Sequence, residues 1–108
     1  MIVVVNGYHA GTKETGCALC GGTWGNHYEI IEGDNLFFCC DICAKAFKNI
    51  INEAKKRGKL NKIDYIDIKG NFYKGRTIEA KDSERSYKFY VKFSDEGDII
   101  ELKELNNA

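Results

Sequence analysis

Five cysteines fall between residues 17 and 43 and none elsewhere. They form Cys17-Ala18-Leu19-Cys20-Gly21-Gly22 and Phe38-Cys39-Cys40-Asp41-Ile42-Cys43. Thiolates are ligands for soft and borderline metal ions, and a CxxC pair delivers two sulfurs to one ion with little chain strain. Two close pairs joined by a linker of this length have the spacing of a tetrahedral structural site, so the chemistry expected is the binding of one Zn2+ per chain. The bland alternative is a set of small buried hydrophobes. Against it stands Gly21-Gly22, which suits a tight turn whose backbone N–H groups point at sulfur.

Cys17 and Cys20 are the first two expected ligands. The second pair is open on spacing alone: Cys39 with Cys43 makes CxxxC, and Cys40 with Cys43 makes CxxC. In either case Cys43 binds from the first turn of a helix, where the positive end of the macrodipole favours anionic sulfur. His9 and His27 are further possible ligands, but sulfur already suffices, so both read as polar loop or surface residues. Trp24, just after the double glycine, is expected to cover the metal knuckle and keep water from it.

The elements that must hold these residues follow from periodicity. Residues 2–6 read as a short buried strand, and Gly7 to Gly16 as a polar loop. Thr23–Ile31 and Leu36–Cys39 are rich in strand formers, with Gly33-Asp34-Asn35 as the turn of a hairpin that carries the chain from one cysteine pair to the other. Cys43, Ala46, Phe47, Ile50, Ile51 and Ala54 make one apolar stripe at helical spacing, which predicts a helix from about 41 to 57. Asp41 favours its start, Lys55-Lys56-Arg57 fill its last turn, and Gly58 ends it. Residues 63–104 read as antiparallel strands with turns at Lys69-Gly70-Asn71, Asp82–Arg85 and Ser94–Asp98. Tyr87, Phe89, Val91 and Phe93 alternate with Lys88, Tyr90 and Lys92, leaving Tyr90 as an exposed aromatic.

The run Leu36-Phe37-Phe38-Cys39-Cys40-Asp41-Ile42-Cys43-Ala44-Lys45-Ala46-Phe47 resembles the second half of the TRASH, YHS and MYM-type zinc modules. Their pattern is CxxC, a hairpin, then an aromatic-Phe-Cys-x-x-x-Cys helix with Phe four residues beyond the last cysteine. The matching positions here are Cys17, Cys20, Cys39, Cys43 and Phe47, over residues 17 to about 50. The resemblance implies a treble-clef-like fold and selects Cys39 as the third ligand, with Cys40 as the alternative. The chain departs from the pattern at Cys40, where Ser or another small residue is usual. That thiol is either a spare or a fifth thiolate for metal transfer or for soft ions such as Cu(I) and Hg(II). The whole arrangement is also similar to a small zinc-protein family of thermoacidophilic archaea. That likeness implies a zinc-binding loop region packed on a helix and a sheet, with no assigned activity.

The expected fold class is therefore α+β, built as one domain over residues 1–108. It would have a treble-clef-like zinc module at 17–57, one main helix, and a C-terminal antiparallel sheet at 63–104. Sixteen basic residues balance sixteen acidic ones, so wholesale binding to nucleic acid or an anionic membrane is not favoured. Residues 1–62 carry 8 basic and 6 acidic side chains, and residues 63–108 carry 8 and 10, too even a split to name a partner. No apolar run approaches the ~20 residues of a membrane span. Met1–Asn6 is too short for a secretory leader. A cytoplasmic location is expected, where clustered cysteines stay reduced and serve as ligands, and an odd number of cysteines argues against a disulfide framework.

Lys55–Lys62 forms a basic patch that reads either as phosphate contacts or as helix-end compensation and solubility. Gly7–Gly16 lacks the GxxxxGK[ST] of a phosphate loop. No catalytic constellation is present, and a four-thiolate zinc has no open position for water, so an enzyme is not expected. The expectation is a structural zinc module acting as a binding or adaptor protein for a protein or nucleic-acid partner. The alternatives are a heavy-metal trafficking or sensing protein and a nucleic-acid-binding zinc finger.

Overall fold

A computed structural model describes residues 1–105. Nine elements follow in chain order: β1 (Ile2–Val5), β2 (Tyr8–Ala10), β3 (His27–Ile31), β4 (Asp34–Phe38), α1 (Asp41–Gly58), β5 (Tyr65–Asn71), β6 (Gly75–Lys81), β7 (Ser86–Phe93) and β8 (Ile99–Glu104). Six strands form one sheet in the order β2-β1-β5-β6-β7-β8, and among the described residues β3 pairs only with β4.

This corrects the α+β expectation of a C-terminal antiparallel sheet beside a helix. The protein is mostly β, and its main sheet is mixed. β1 enters it parallel to β5, with Val3 opposite Ile66 and Val5 opposite Ile68. The physical reason is burial: Val3, Val5, Ile66 and Ile68 all lie on the inner face of the sheet and are almost inaccessible. A lone N-terminal strand could not bury that valine face, and docking beside β5 removes it from water. The stretch read as a loop after residue 6 also contributes. Asn6 and Gly7 both have positive φ (50° and 88°), the backbone of a two-residue hairpin turn, and they fold β2 back onto β1.

The other turns shift by small amounts. Glu32 and Gly33 (φ 54° and 84°) close the β3–β4 hairpin, while Asp34 and Asn35 already pair with Ile31 and Ile30. Lys69, Gly70 and Asn71 lie within β5, and the turn itself is Phe72–Lys74. Helix α1 runs through Gly58, and Lys59 takes the left-handed conformation beyond it. Gly58 is there for close approach instead: a Cβ at this position would collide with the Tyr87 ring. Tyr90 is half-buried, its hydroxyl donating to the Lys74 carbonyl at 2.8 Å.

The stripe of α1 packs as its spacing requires, with Ala44, Ala46, Phe47, Ile50, Ile51 and Ala54 buried. Phe47 meets Phe38 edge to face, with ring centroids 5.5 Å apart, so the helix is fastened to the strand that carries Cys39. Lys48 adds a tether at 2.6 Å to Glu29 on β3, and His27 bonds the other oxygen of that carboxylate at 2.8 Å. His27 foremost, then Lys48, holds the Glu29 carboxyl below its ordinary range.

Asp82 locks the far end of the sheet. Its carboxylate accepts backbone N–H bonds from Asn61 (2.9 Å), Glu84 (2.8 Å) and Arg85 (2.6 Å), and these donors lower its pKa. A carboxyl whose pKa is depressed by folding stabilises above its unfolded value and loses that contribution as pH falls through the folded one. Stability is thus expected to fall on acidification below about pH 4, and the slope there should be shallower in Asp82→Ala, as thermal unfolding across pH will show. Phe47→Ala empties a fully enclosed helix–strand contact and is expected to cost about 3–5 kcal/mol in urea unfolding.

Candidate metal centre

The first cysteine pair rides on a loop held by backbone hydrogen bonds at both ends. The Cys17 N–H donates to the Gly22 carbonyl (2.7 Å), and the Gly21 N–H donates to the Cys17 carbonyl (2.8 Å). Inside this knuckle the N–H groups of Leu19 and Cys20 point at the Cys17 sulfur, at 3.4 and 3.5 Å. The knuckle is then sewn to β4: the Ala18 N–H donates to the Phe37 carbonyl (2.9 Å), and the Phe37 N–H donates to the Gly11 carbonyl (2.8 Å). Two glycines permit this closeness. A Cβ on Gly16 would run into the Gly21 carbonyl, and one on Gly25 into the Cys39 carbonyl; both positions have positive φ.

The second group arrives from β4 and α1. Cys39 follows the last residue of β4. Cys40 is the N-cap of α1 in extended conformation and makes no side-chain cap. Cys43 lies in the first turn. The result is a cluster of four sulfurs, from Cys17, Cys20, Cys39 and Cys43, all within 4.8 Å of one another. The Sγ atoms of Cys20 and Cys39 are 3.6 Å apart, and those of Cys39 and Cys43 are 3.4 Å apart. Four thiolates around an ion with metal–sulfur bonds of about 2.3 Å are separated by about 3.8 Å, so the donor set fits a tetrahedral thiolate site. Cys17 is inaccessible to solvent and the other three are half-buried.

The electrostatics agree with that fit. Hydrogen bonds from the Cys20 and Cys43 thiols hold the Cys17 pKa far below the ordinary thiol value. Burial first raises that of Cys39, and hydrogen bonds with Cys17 foremost, then Cys20, raise that of Cys43. Cys17 therefore ionises readily while Cys39 and Cys43 resist, because adjacent anions repel in a poorly solvated place. A divalent cation at the centre reverses this penalty for every sulfur at once.

Of the other sequence candidates, Cys40 lies outside the four-sulfur group, its Sγ 3.9 Å from that of Cys39. His27 is turned to Glu29. His9, exposed on β2, lies on the wall of a cleft of about 570 Å³ that Cys20 also lines. Trp24 packs over Gly22 but is 66 % exposed, so it does not seal the knuckle. The basic run at the end of α1 is partly neutralised, with Lys55 on Glu32 at 2.9 Å and Arg57 on Glu53 at 2.7 Å. Sequence reading missed Arg76, which shares a cleft with Cys43. Its alternation with Ile78 and Ala80 was the available signal, since that parity puts it on the buried face of β6.

A family model named Ta0938 matches residues 14–105, from just before the first cysteine to the end of the described chain. The chain belongs to the Ta0938 family. This is a family of small archaeal-type domains, and the match takes in both cysteine groups as well as β5–β8. No curated protein and no solved structure matches the chain.

Cobalt(II) substitution tests the ligand set directly. Cys39→Ser is expected to weaken the thiolate-to-metal charge-transfer band and shift the visible bands of the tetrahedral ion, whereas Cys40→Ser should leave the spectrum unchanged.

Proposed function

We propose that this member of the Ta0938 family is a structural zinc protein. One Zn2+ per chain is held by Cys17, Cys20, Cys39 and Cys43, and the folded module serves as a binding or adaptor unit for a protein or nucleic-acid partner in the reducing cytoplasm. The observation that carries the reading is the convergence of four sulfurs from two separate chain segments within 4.8 Å. When bound, zinc supplies a charge that lets all four thiols ionise and cross-links the knuckle to the strand and helix. The chain's own residues do the rest: Leu19 and Cys20 present N–H groups to sulfur, and Gly16 and Gly25 allow the loops to close.

Four thiolates leave no coordination position for water, so the reading is of a non-enzymatic module. Among the described residues no helix is long and apolar enough to cross a membrane. The likeness of residues 17–50 to the TRASH, YHS and MYM modules supports the zinc assignment. The ion pairs of Lys55 and Arg57 reduce the free charge of the basic patch, which weighs against a nucleic-acid partner there.

One observation favours a second reading, heavy-metal trafficking or sensing. Cys40 is half-buried, with its Sγ 3.9 Å from that of Cys39, so a fifth thiol stands beside the ligand set where it could accept a soft ion by exchange. Under the structural reading, Cys40→Ser leaves metal content and exchange rate unchanged. Faster or tighter binding of copper or mercury that vanishes in Cys40→Ser moves the assignment to metal handling.

The deciding experiment for the first reading is elemental analysis of purified protein, followed by chelation. One zinc per chain is expected. Removing it should lower Tm by roughly 15–30 °C, since a ligand at a thousandfold excess over its Kd contributes about 4 kcal/mol. Protein free of metal with an unchanged Tm would sink the proposal.

A further inference from the structure

The most enclosed cationic side chain among the described residues is that of Arg76 on β6, only 7 % exposed. It belongs to the inner face of the sheet with Ile78 and Ala80, under α1. Its guanidinium stands 5.8 Å from the centre of the Phe93 ring, and no hydrogen bond or ion pair joins it to any described residue. It opens on a cleft of about 220 Å³, whose walls include Leu19, Ile42, Cys43, Ala46 and Phe72. Asp95 is at the rim of this cleft, but it is exposed and not paired with the arginine.

A buried guanidinium is strongly disfavoured unless opposite charge faces it, and an arginine this enclosed is normally bonded or paired. The cleft is also smaller than ordinary ligand pockets, which start at about 300 Å³. The opposite charge lies close by. Cys43 lines the same cleft, so the sulfur cluster borders the space into which the guanidinium opens. Four thiolates around one divalent ion carry a net charge of −2 by simple addition. A half-buried centre with that charge needs a cation as much as Arg76 needs an anion.

We propose that Arg76 is the counter-charge of the metal–thiolate centre, a positioning residue that binds no metal itself but raises the site's affinity for a divalent ion. The inference rests on the zinc reading above. By reciprocity, whatever factor Arg76 adds to metal affinity the metal returns as tolerance of the buried arginine. Metal-free protein should therefore gain nothing from the charge, while loaded protein should depend on it.

The test compares zinc affinity, by chelator competition, and Tm in the parent, Arg76→Met and Arg76→Lys, each loaded and metal-free. All three are expected to bind one zinc. Arg76→Met should bind it about 10- to 100-fold more weakly, as is usual for residues that support ligands from outside the coordination sphere. Arg76→Lys, which keeps the charge, should lose much less. Arg76→Met should lower the Tm of the loaded protein and leave that of the metal-free protein unchanged or raised. Where Arg76→Met does not fold, Arg76→Gln carries the same comparison. Unchanged affinity in the neutral variants would overturn the inference and leave the zinc reading intact. An equal Tm loss in loaded and metal-free protein would also overturn it, making Arg76 a packing residue. A parent that binds no zinc overturns both.

Discussion

Four sulfur atoms within 4.8 Å of one another cannot all be thiolates unless a cation stands among them. Much of the N-terminal half of the chain exists to hold them there all the same. The knuckle closes through Cys17 and Gly22, the loop before it is pinned to β4 through Gly11 and Phe37, and the loop after it passes against Cys39 where only glycine fits. None of these contacts is apolar burial on a large scale. They are backbone hydrogen bonds and close approaches, which fix geometry but supply little net stability. A metal bound by both segments would cross-link such a region.

The larger sheet supplies the stability that the loops lack. Its inner face and the stripe of α1 bury a continuous set of aliphatic and aromatic side chains, from Val3 and Val5 through Ile66, Ile68 and Ile78 to Phe89 and Val91. Helix α1 joins the two regions. Its first turn carries Cys43, its middle packs Phe47 on Phe38, and its remaining stripe lies on the sheet. A change in the sulfur cluster is thereby coupled to the core through one rigid element, and Arg76 on β6 borders the same cleft as Cys43.

The charge distribution follows the same logic. The surface holds some of its lysines and carboxylates in pairs, such as Lys48 with Glu29, Lys55 with Glu32 and Lys45 with Asp98 at 2.9 Å, in a chain of zero formal charge. Surface pairs of this kind contribute little to stability. The charges that matter are the few that are enclosed: the sulfur cluster, Arg76, and Asp82 with its three backbone donors.

What the sequence determined by itself was local. The cysteine spacing announced a metal-type cluster, the helical stripe set α1 to within a residue, and alternation located β7, because each of these patterns is read from neighbours along the chain. The Asn6-Gly7 dipeptide is an equally local hairpin signal, and it joins β1 to β2. Tertiary structure alone decided the rest. Spacing left Cys39 and Cys40 equivalent, and only the direction in which β4 delivers the chain to α1 puts the Cys39 sulfur in the cluster and the Cys40 sulfur outside it. Nothing local says that β1 will lie parallel to β5, since that pairing depends on which distant apolar face is left uncovered. The burial of Arg76 is of the same kind: strand parity points it inward, but that it would meet the cysteine cluster depends on the sheet, the helix and the knuckle closing on one another.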